Sequence, residues 1–177
     1  NLFQQEELNL TMLTASLKIL SPDKIETKND IKQILELIDL EEKNKRILGI
    51  DESQVFHINE TKLTNILQLF IKNPELEALI TVDELNYSNK ALETAYNLKN
   101  VLDEVYLTYK KDEENLYVRL VSTNLSAKFK DLLEKSKALV FMSGTLHNEK
   151  ILKDLFKIKD YEIVEAETTN FRNIEIS

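Results

Sequence analysis

The chain has 177 residues, 42% of them hydrophobic, with 23 Lys and Arg against 31 Asp and Glu and a net charge of −8. That length suits one domain or one and a half with a sizeable core, and the acidity argues against a chain that grips nucleic acid unaided. The absence of cysteine excludes disulfides and any Cys-ligated zinc or iron–sulfur centre within these residues, and points to a reducing compartment.

Residues 1–103 read as almost wholly helical, because apolar side chains recur at three- and four-residue spacing and Gly and Pro are nearly absent. Leu10, Leu13, Leu17 and Leu20 open the pattern, and Ser21-Pro22 breaks it. A second helix carries Ile31, Ile34, Leu35, Ile38 and Leu40 on one side, and Gly49 to Ser53 reads as a loop. Asn59 or Thr61 caps a third helix bearing Leu63, Ile66, Leu67 and Phe70, which ends near Lys72-Asn73-Pro74. Ser88 caps a fourth, with Leu92, Ala95, Tyr96 and Leu102 near one stripe; such stripes are core. Near residue 104 the period changes to alternation. Val105, Leu107 and Tyr109 and then Leu116, Val118 and Leu120 predict two antiparallel strands joined through the acidic turn at 112–115. A helix over 125–135, a strand over Ala138–Met142, a helix over 148–156 and a short strand near 161–164 follow. The expected class is α+β, mainly α, with a helical domain over 1–103 and an α/β segment over 104–177.

The run Ala138-Leu139-Val140-Phe141-Met142 empties into Ser143-Gly144-Thr145-Leu146. Five apolar residues suit a strand buried on both faces, as in a parallel sheet, and ligands gather beyond the carboxyl ends of such strands. Gly144, one of two glycines, permits the sharp turn that sets Ser143 and Thr145 at that edge. A plain strand-to-helix turn has the same composition. Leu79-Ile80-Thr81-Val82-Asp83-Glu84 imitates a magnesium-holding strand, yet with glycines only at 49 and 144 no phosphate-binding loop can accompany it. We read Asp83-Glu84 as a helix end or solvated turn. His57 and His147 are too isolated for a zinc site and are read as surface or capping residues. Lys128, Lys130, Lys135 and Lys137 cluster around one helix, where a solvated face and a phosphate-facing one are equally served. Residues 124–177 hold nine basic and nine acidic side chains, so the whole −8 rests on 1–123 and the last third is the better phosphate-facing part. Asn9, Asn59, Asn86 and Asn124 each open an Asn-x-Ser/Thr triplet, read here as composition and not as glycosylation. No apolar run is long enough to span a bilayer, so a cytoplasmic setting without membrane contact is expected, or a nuclear one in a eukaryote. The opening at Asn1, in the middle of a pattern, reads as a piece of a longer chain.

The stretch from Leu116 to Leu146, with Ser122-Thr123-Asn124-Leu125-Ser126, the helix over Phe129–Lys137, a strand and Ser143-Gly144-Thr145-Leu146, resembles the XPD/DinG branch of superfamily 2 DNA helicases. Asn1-Leu2-Phe3 and Leu8-Asn9-Leu10-Thr11 resemble the sequence after that family's Asp-Glu-Ala-His box. His147-Asn148 stands where relatives often have Ser-Pro, and Glu167–Phe171 matches the family's Ser-Pro-Phe segment loosely. The resemblance implies that 1–103 is the helical arch domain and 104–177 a RecA-like segment of the first motor domain ending in the third helicase motif. It implies ATP and magnesium in an intact ATP-hydrolysing parent, and an iron–sulfur cluster, where present, bound by another segment. It assigns Ser143, Gly144 and Thr145 to coupling, and single-stranded DNA as partner. Lys128 and Lys130 are the nucleic-acid contacts we single out, and the acidic arch is a surface for a basic protein. The fragment offers no catalytic residue, no metal ligand and no cofactor of its own. Two readings compete with the motor: a non-enzymatic acidic helical interaction module, and a small-molecule binding α/β protein using the 143–145 edge.

Overall fold

A computed structural model of the chain describes residues 4–137 and, singly, Val140, Lys153 and Glu162; within 125–135 the side chains of Leu125, Ala127, Lys128 and Asp131 lie outside that description. The chain divides into two compact units, Asn1–Leu139 and Val140–Ser177. The first is mixed α and β with helix predominant.

Asn9 is where strand becomes helix. It ends β1 (Gln5–Asn9), and its Oδ1 accepts from the Met12 amide at 2.9 Å to cap α1 (Leu10–Lys18). Leu10, Leu13 and Leu17 are buried as their spacing predicts. After the break at Pro22, α2 (Ile25–Leu48) buries Thr27, Ile31, Ile34, Ile38, Glu41 and Lys45. Leu40 is instead about half exposed, because two residues past Ile38 a helical side chain has swung to the far side. Gly49, at φ 78°, ends α2 with a backbone that a side chain would strain.

β2 (Phe56–His57) and a single 3₁₀ turn, Ile58–Glu60, lead to α3 (Leu63–Lys72), whose Leu63, Ile66, Leu67 and Phe70 are all buried. Each such side chain contributes about 1.5–3 kcal/mol. Thr61 supplies the hydroxyl at the start of α3, accepting from the Leu63 amide at 3.2 Å. Pro74 begins a further helix, α4 (Pro74–Thr81), and Asn73 caps it through the amides of Glu75 and Leu76. In α5 (Ser88–Leu98) the cap expected at Ser88 is not made: the cap position is Tyr87, whose side chain caps no amide, and an Asx turn leads into the helix. Asn86 Oδ1 accepts from the Ser88 amide at 2.9 Å, while the Ser88 hydroxyl is buried without a hydrogen-bond partner. A 3₁₀ turn, Leu102–Glu104, then enters the sheet.

β3 (Val105–Asp112) and β4 (Asn115–Ser122) form the expected hairpin, with Leu107 opposite Leu120 and Asp112 opposite Asn115. The sheet has order β1-β4-β3-β2 and every pairing is antiparallel. Residues 1–103 are therefore not purely helical. β1, with its Gln-Glu-Glu start, has poor strand propensity and exists because β4 offers it an edge. α6 (Leu125–Lys135) follows β4. The expected strand over Ala138–Met142 and the elements near 148–156 and 161–164 lie outside the described residues, apart from Val140, which is exposed, and Lys153, which is helical.

The hairpin turn, Glu113-Glu114, holds Glu113 at φ 53°. A side chain there costs about 1–2 kcal/mol, which glycine avoids at a smaller entropic cost. Glu113→Gly is expected to stabilise the chain by about 0.5–1 kcal/mol, read as a higher urea midpoint at unchanged slope.

Candidate functional site

The segment Ser122-Thr123-Asn124-Leu125-Ser126, which carries part of the family resemblance, is the junction between β4 and α6. Its backbone cannot continue the ladder and enter a helix at once, so side chains take over. The Ser122 hydroxyl accepts from the Asn124 amide at 3.2 Å, and Ser126 Oγ donates to Asn124 Oδ1 at 2.9 Å. Thr123 donates to the Glu104 carbonyl through both its amide, at 2.9 Å, and its hydroxyl, at 3.0 Å. Asn124 Nδ2 donates to Glu104 Oε1 at 2.7 Å. Glu104 thus uses carbonyl and carboxylate to fasten the start of α6 to the turn that leaves the helical body. This is positioning chemistry.

Ser143, Gly144 and Thr145 lie outside the described residues. Lys128 occupies α6, its side chain likewise undescribed. Lys130 is exposed on α6, 3.9 Å from Glu134 one turn on, a pair worth a few tenths of a kcal/mol. The basic cluster is a solvated helix surface as far as it is described. Asp83 and Glu84 form a turn, with Asp83 Oδ1 accepting from the Leu85 amide at 3.1 Å. His57 is a cap: its Nδ1 accepts from the Asn59 amide at 3.3 Å, while Glu60 Oε2 accepts from the His57 amide at 2.9 Å. Nδ1 being the acceptor, Nε2 carries the proton of the neutral ring and donates to the Asp103 carbonyl at 2.9 Å. Among the described residues no group of three metal-ligating side chains converges, and no helix is long and apolar enough to cross a membrane.

One buried polar cluster interrupts the apolar stripe of α2. The core stripe of α2 runs Ile31, Ile34, Ile38 and then Glu41 and Lys45, which are 3% and 7% exposed. Glu41 Oε1 accepts from the Tyr109 hydroxyl at 2.5 Å, and Oε2 accepts from the Lys62 amide at 3.0 Å, at the start of α3. The Lys45 ammonium lies 3.4 Å from the Phe56 ring centroid and 4.6 Å from that of Tyr109. Burial pushes the Lys45 amine below the usual lysine range, against the pull of Glu41 and Glu60. Burial, then the hydrogen bond to Glu41, pushes the Tyr109 phenol far above its usual value. Both Glu41 oxygens are engaged, so the carboxylate serves as a tie among α2, α3 and the sheet and not as a general base. Beside it a cavity of about 350 Å³ is lined by Lys45, Arg46, Ile50, Lys111 and Leu116, among others. Continuing the three-four spacing past Ile38 would have found Glu41 and Lys45.

No protein-family model matches the chain, and no curated protein matches its sequence.

Proposed function

We propose that the chain is the arch and third-motif portion of an ATP-driven DNA helicase of the XPD/DinG type, with 1–103 as arch and 104–177 as a RecA-like part of the first motor domain. The observation that carries this reading is the ordered run from β4 through Ser122–Ser126 and α6 to Ser143-Gly144-Thr145-Leu146. The Glu104 clamp supports it, since a strut between a helical body and the helix leading to a coupling motif must be stiff to transmit motion. In the intact parent, ATP and magnesium bind elsewhere, and Ser143 and Thr145 exchange hydrogen bonds as the γ-phosphate comes and goes. The helical body guides single-stranded DNA, with Lys128 and Lys130 as phosphate contacts. The fragment by itself hydrolyses nothing.

Thr145→Val tests this in the intact parent, because it removes one hydroxyl at nearly constant shape. ATP binding is expected to stay within about two-fold, while base pairs unwound per ATP fall about ten-fold, the worth of one hydrogen bond. An unchanged ratio would sink the coupling role.

The rival reading, an acidic helical interaction module, draws on Val82 and Leu85, 85% and 96% exposed in the turn between α4 and α5. The residues encoded before Asn1 separate the two: an Asp-Glu-x-His ending with a Gly-Lys-Ser/Thr loop upstream supports the motor, and unrelated sequence supports the module.

A further inference from the structure

The sheet has a second face. Tyr106 stands opposite Val121, Thr108 opposite Arg119 and Lys110 opposite Tyr117, and on the other side of β4 Glu7 stands opposite Arg119. Side chains alternate along a strand, so these all lie on the face away from Leu107, Tyr109, Val118 and Leu120, which are core. Tyr106 is 41% exposed, Lys110 and Arg119 are exposed, and Tyr117 is half-buried. His57 extends the row, its ring edge-on to Tyr106 at 5.1 Å between centroids and held by Asn59 and Asp103. A ring so braced keeps Tyr106 from collapsing onto the sheet.

Two tyrosines separated by four strand positions stand roughly 13 Å apart along the sheet. Lys110 is directly across from Tyr117, and Arg119 lies between the two rings. Val121 is the one aliphatic side chain among the described residues of this face, too little apolar surface to dock a protein. Flat aromatic rings spaced by cations suit flat π-faced groups joined by phosphates. Arg119 is shared with Glu7, its Nη2 at 3.1 Å from Oε2. An exposed pair of that kind is weak enough for an incoming phosphate to displace.

We propose that the outer face of the sheet, through Tyr106, Tyr117, Lys110 and Arg119, is a stacking platform for unpaired bases of a single-stranded nucleic acid. A duplex, whose bases are already stacked on one another, has no faces to offer it. The site is distinct from Lys128 and Lys130 and needs neither nucleotide nor motor, so it stands or falls apart from the helicase reading. The overall charge of −8 makes stacking the main source of affinity. With two cations at the phosphates, log affinity should fall against log salt with a slope of only about −1.4.

Fluorescence anisotropy of the 177-residue chain with a labelled oligothymidylate of about 15 nucleotides tests this, at about 50 mM salt. Tyr106→Ala and Tyr117→Ala are each expected to weaken binding at least about five-fold, and Tyr106→Phe and Tyr117→Phe to retain it within about two-fold, as stacking without the hydroxyl predicts. Circular dichroism melts of each variant confirm folding. The proposal is overturned if the wild-type chain does not bind the strand, if a duplex of equal length binds as well, or if folded alanine variants bind unchanged. Phe variants as weak as the Ala ones would also overturn it, since hydrogen bonding would then be the cause. Unwinding by the parent reports on Thr145 and leaves this outcome untouched.

Discussion

Glu41→Ala is expected to lower the unfolding free energy by about 3–5 kcal/mol, the usual cost of removing one partner from a buried charge cluster. The loss has three parts. The Tyr109 hydroxyl and the Lys62 amide each lose their acceptor, and the buried Lys45 charge keeps the Phe56 and Tyr109 rings and the pull of Glu60 but loses the Glu41 carboxylate. Glu41→Gln keeps one acceptor and the shape, so its cost should be roughly half that of alanine. Urea unfolding followed by circular dichroism checks both; a Glu41→Ala loss below about 1 kcal/mol would mean that the cluster is not a tie. Alkaline pH gives an independent readout. The Tyr109 phenol is raised in the folded state, so the fold holds a proton that the unfolded chain releases above about pH 10, and stability falls there. Lys45 is lowered, so the fold binds fewer protons than the unfolded chain as pH climbs toward 10.5, and its contribution rises there. Tyr109→Phe removes the first effect and leaves the second, so its stability should decline less than wild type above pH 10. A decline as steep as wild type would show that Tyr109 is not the group responsible.

The second large effect is expected at Glu6, which points from β1 into the core side of the sheet. Its carboxylate accepts from Asn97 Nδ2 at 2.8 Å and Lys90 Nζ at 2.9 Å, with Thr94 Oγ1 at 3.4 Å, all on α5. These contacts join positions more than 80 residues apart and hold an edge strand that has little intrinsic tendency to form. Glu6→Ala should cost about 2–3 kcal/mol, because Asn97 and Thr94 lose a charged acceptor while Lys90, over a third exposed, turns to water. Native-state hydrogen exchange should show the β1 amides opening well before those of β3. Uniform exchange across the sheet would indicate that β1 is held by its ladder with β4 alone.

α1, α2, α3 and α5 were legible because their apolar spacing is regular and because Pro22, Gly49 and Asn73-Pro74 break the pattern between them, whereas α4, which Pro74 opens, is too short to show a period of its own. The β3–β4 hairpin was legible from an alternation that changes period near residue 104. Leu40 is apolar yet faces out, while Glu41 and Lys45 are charged yet face in, so hydrophobicity alone misassigned that part of α2. Ser88 is the first residue of α5 and not its cap, and an Asx turn at 86–88, with Asn86 Oδ1 accepting from the Ser88 amide, leads the chain into the helix.

Local spacing and composition determined α1, α2, α3, α5, α6 and the β3–β4 hairpin, the acidity, and the run ending in Ser143-Gly144-Thr145, since each is a property of neighbours along the chain. Only the tertiary structure decided that β1 is a strand, that Glu41 ties three elements together, that Glu104 clamps the start of α6, and that Tyr106 and Tyr117 share one face with Lys110 and Arg119. Those features depend on which distant backbone supplies the missing hydrogen-bond partner or the opposing strand. A charged residue can be buried when such a partner exists, and its own sequence neighbourhood does not reveal whether one does.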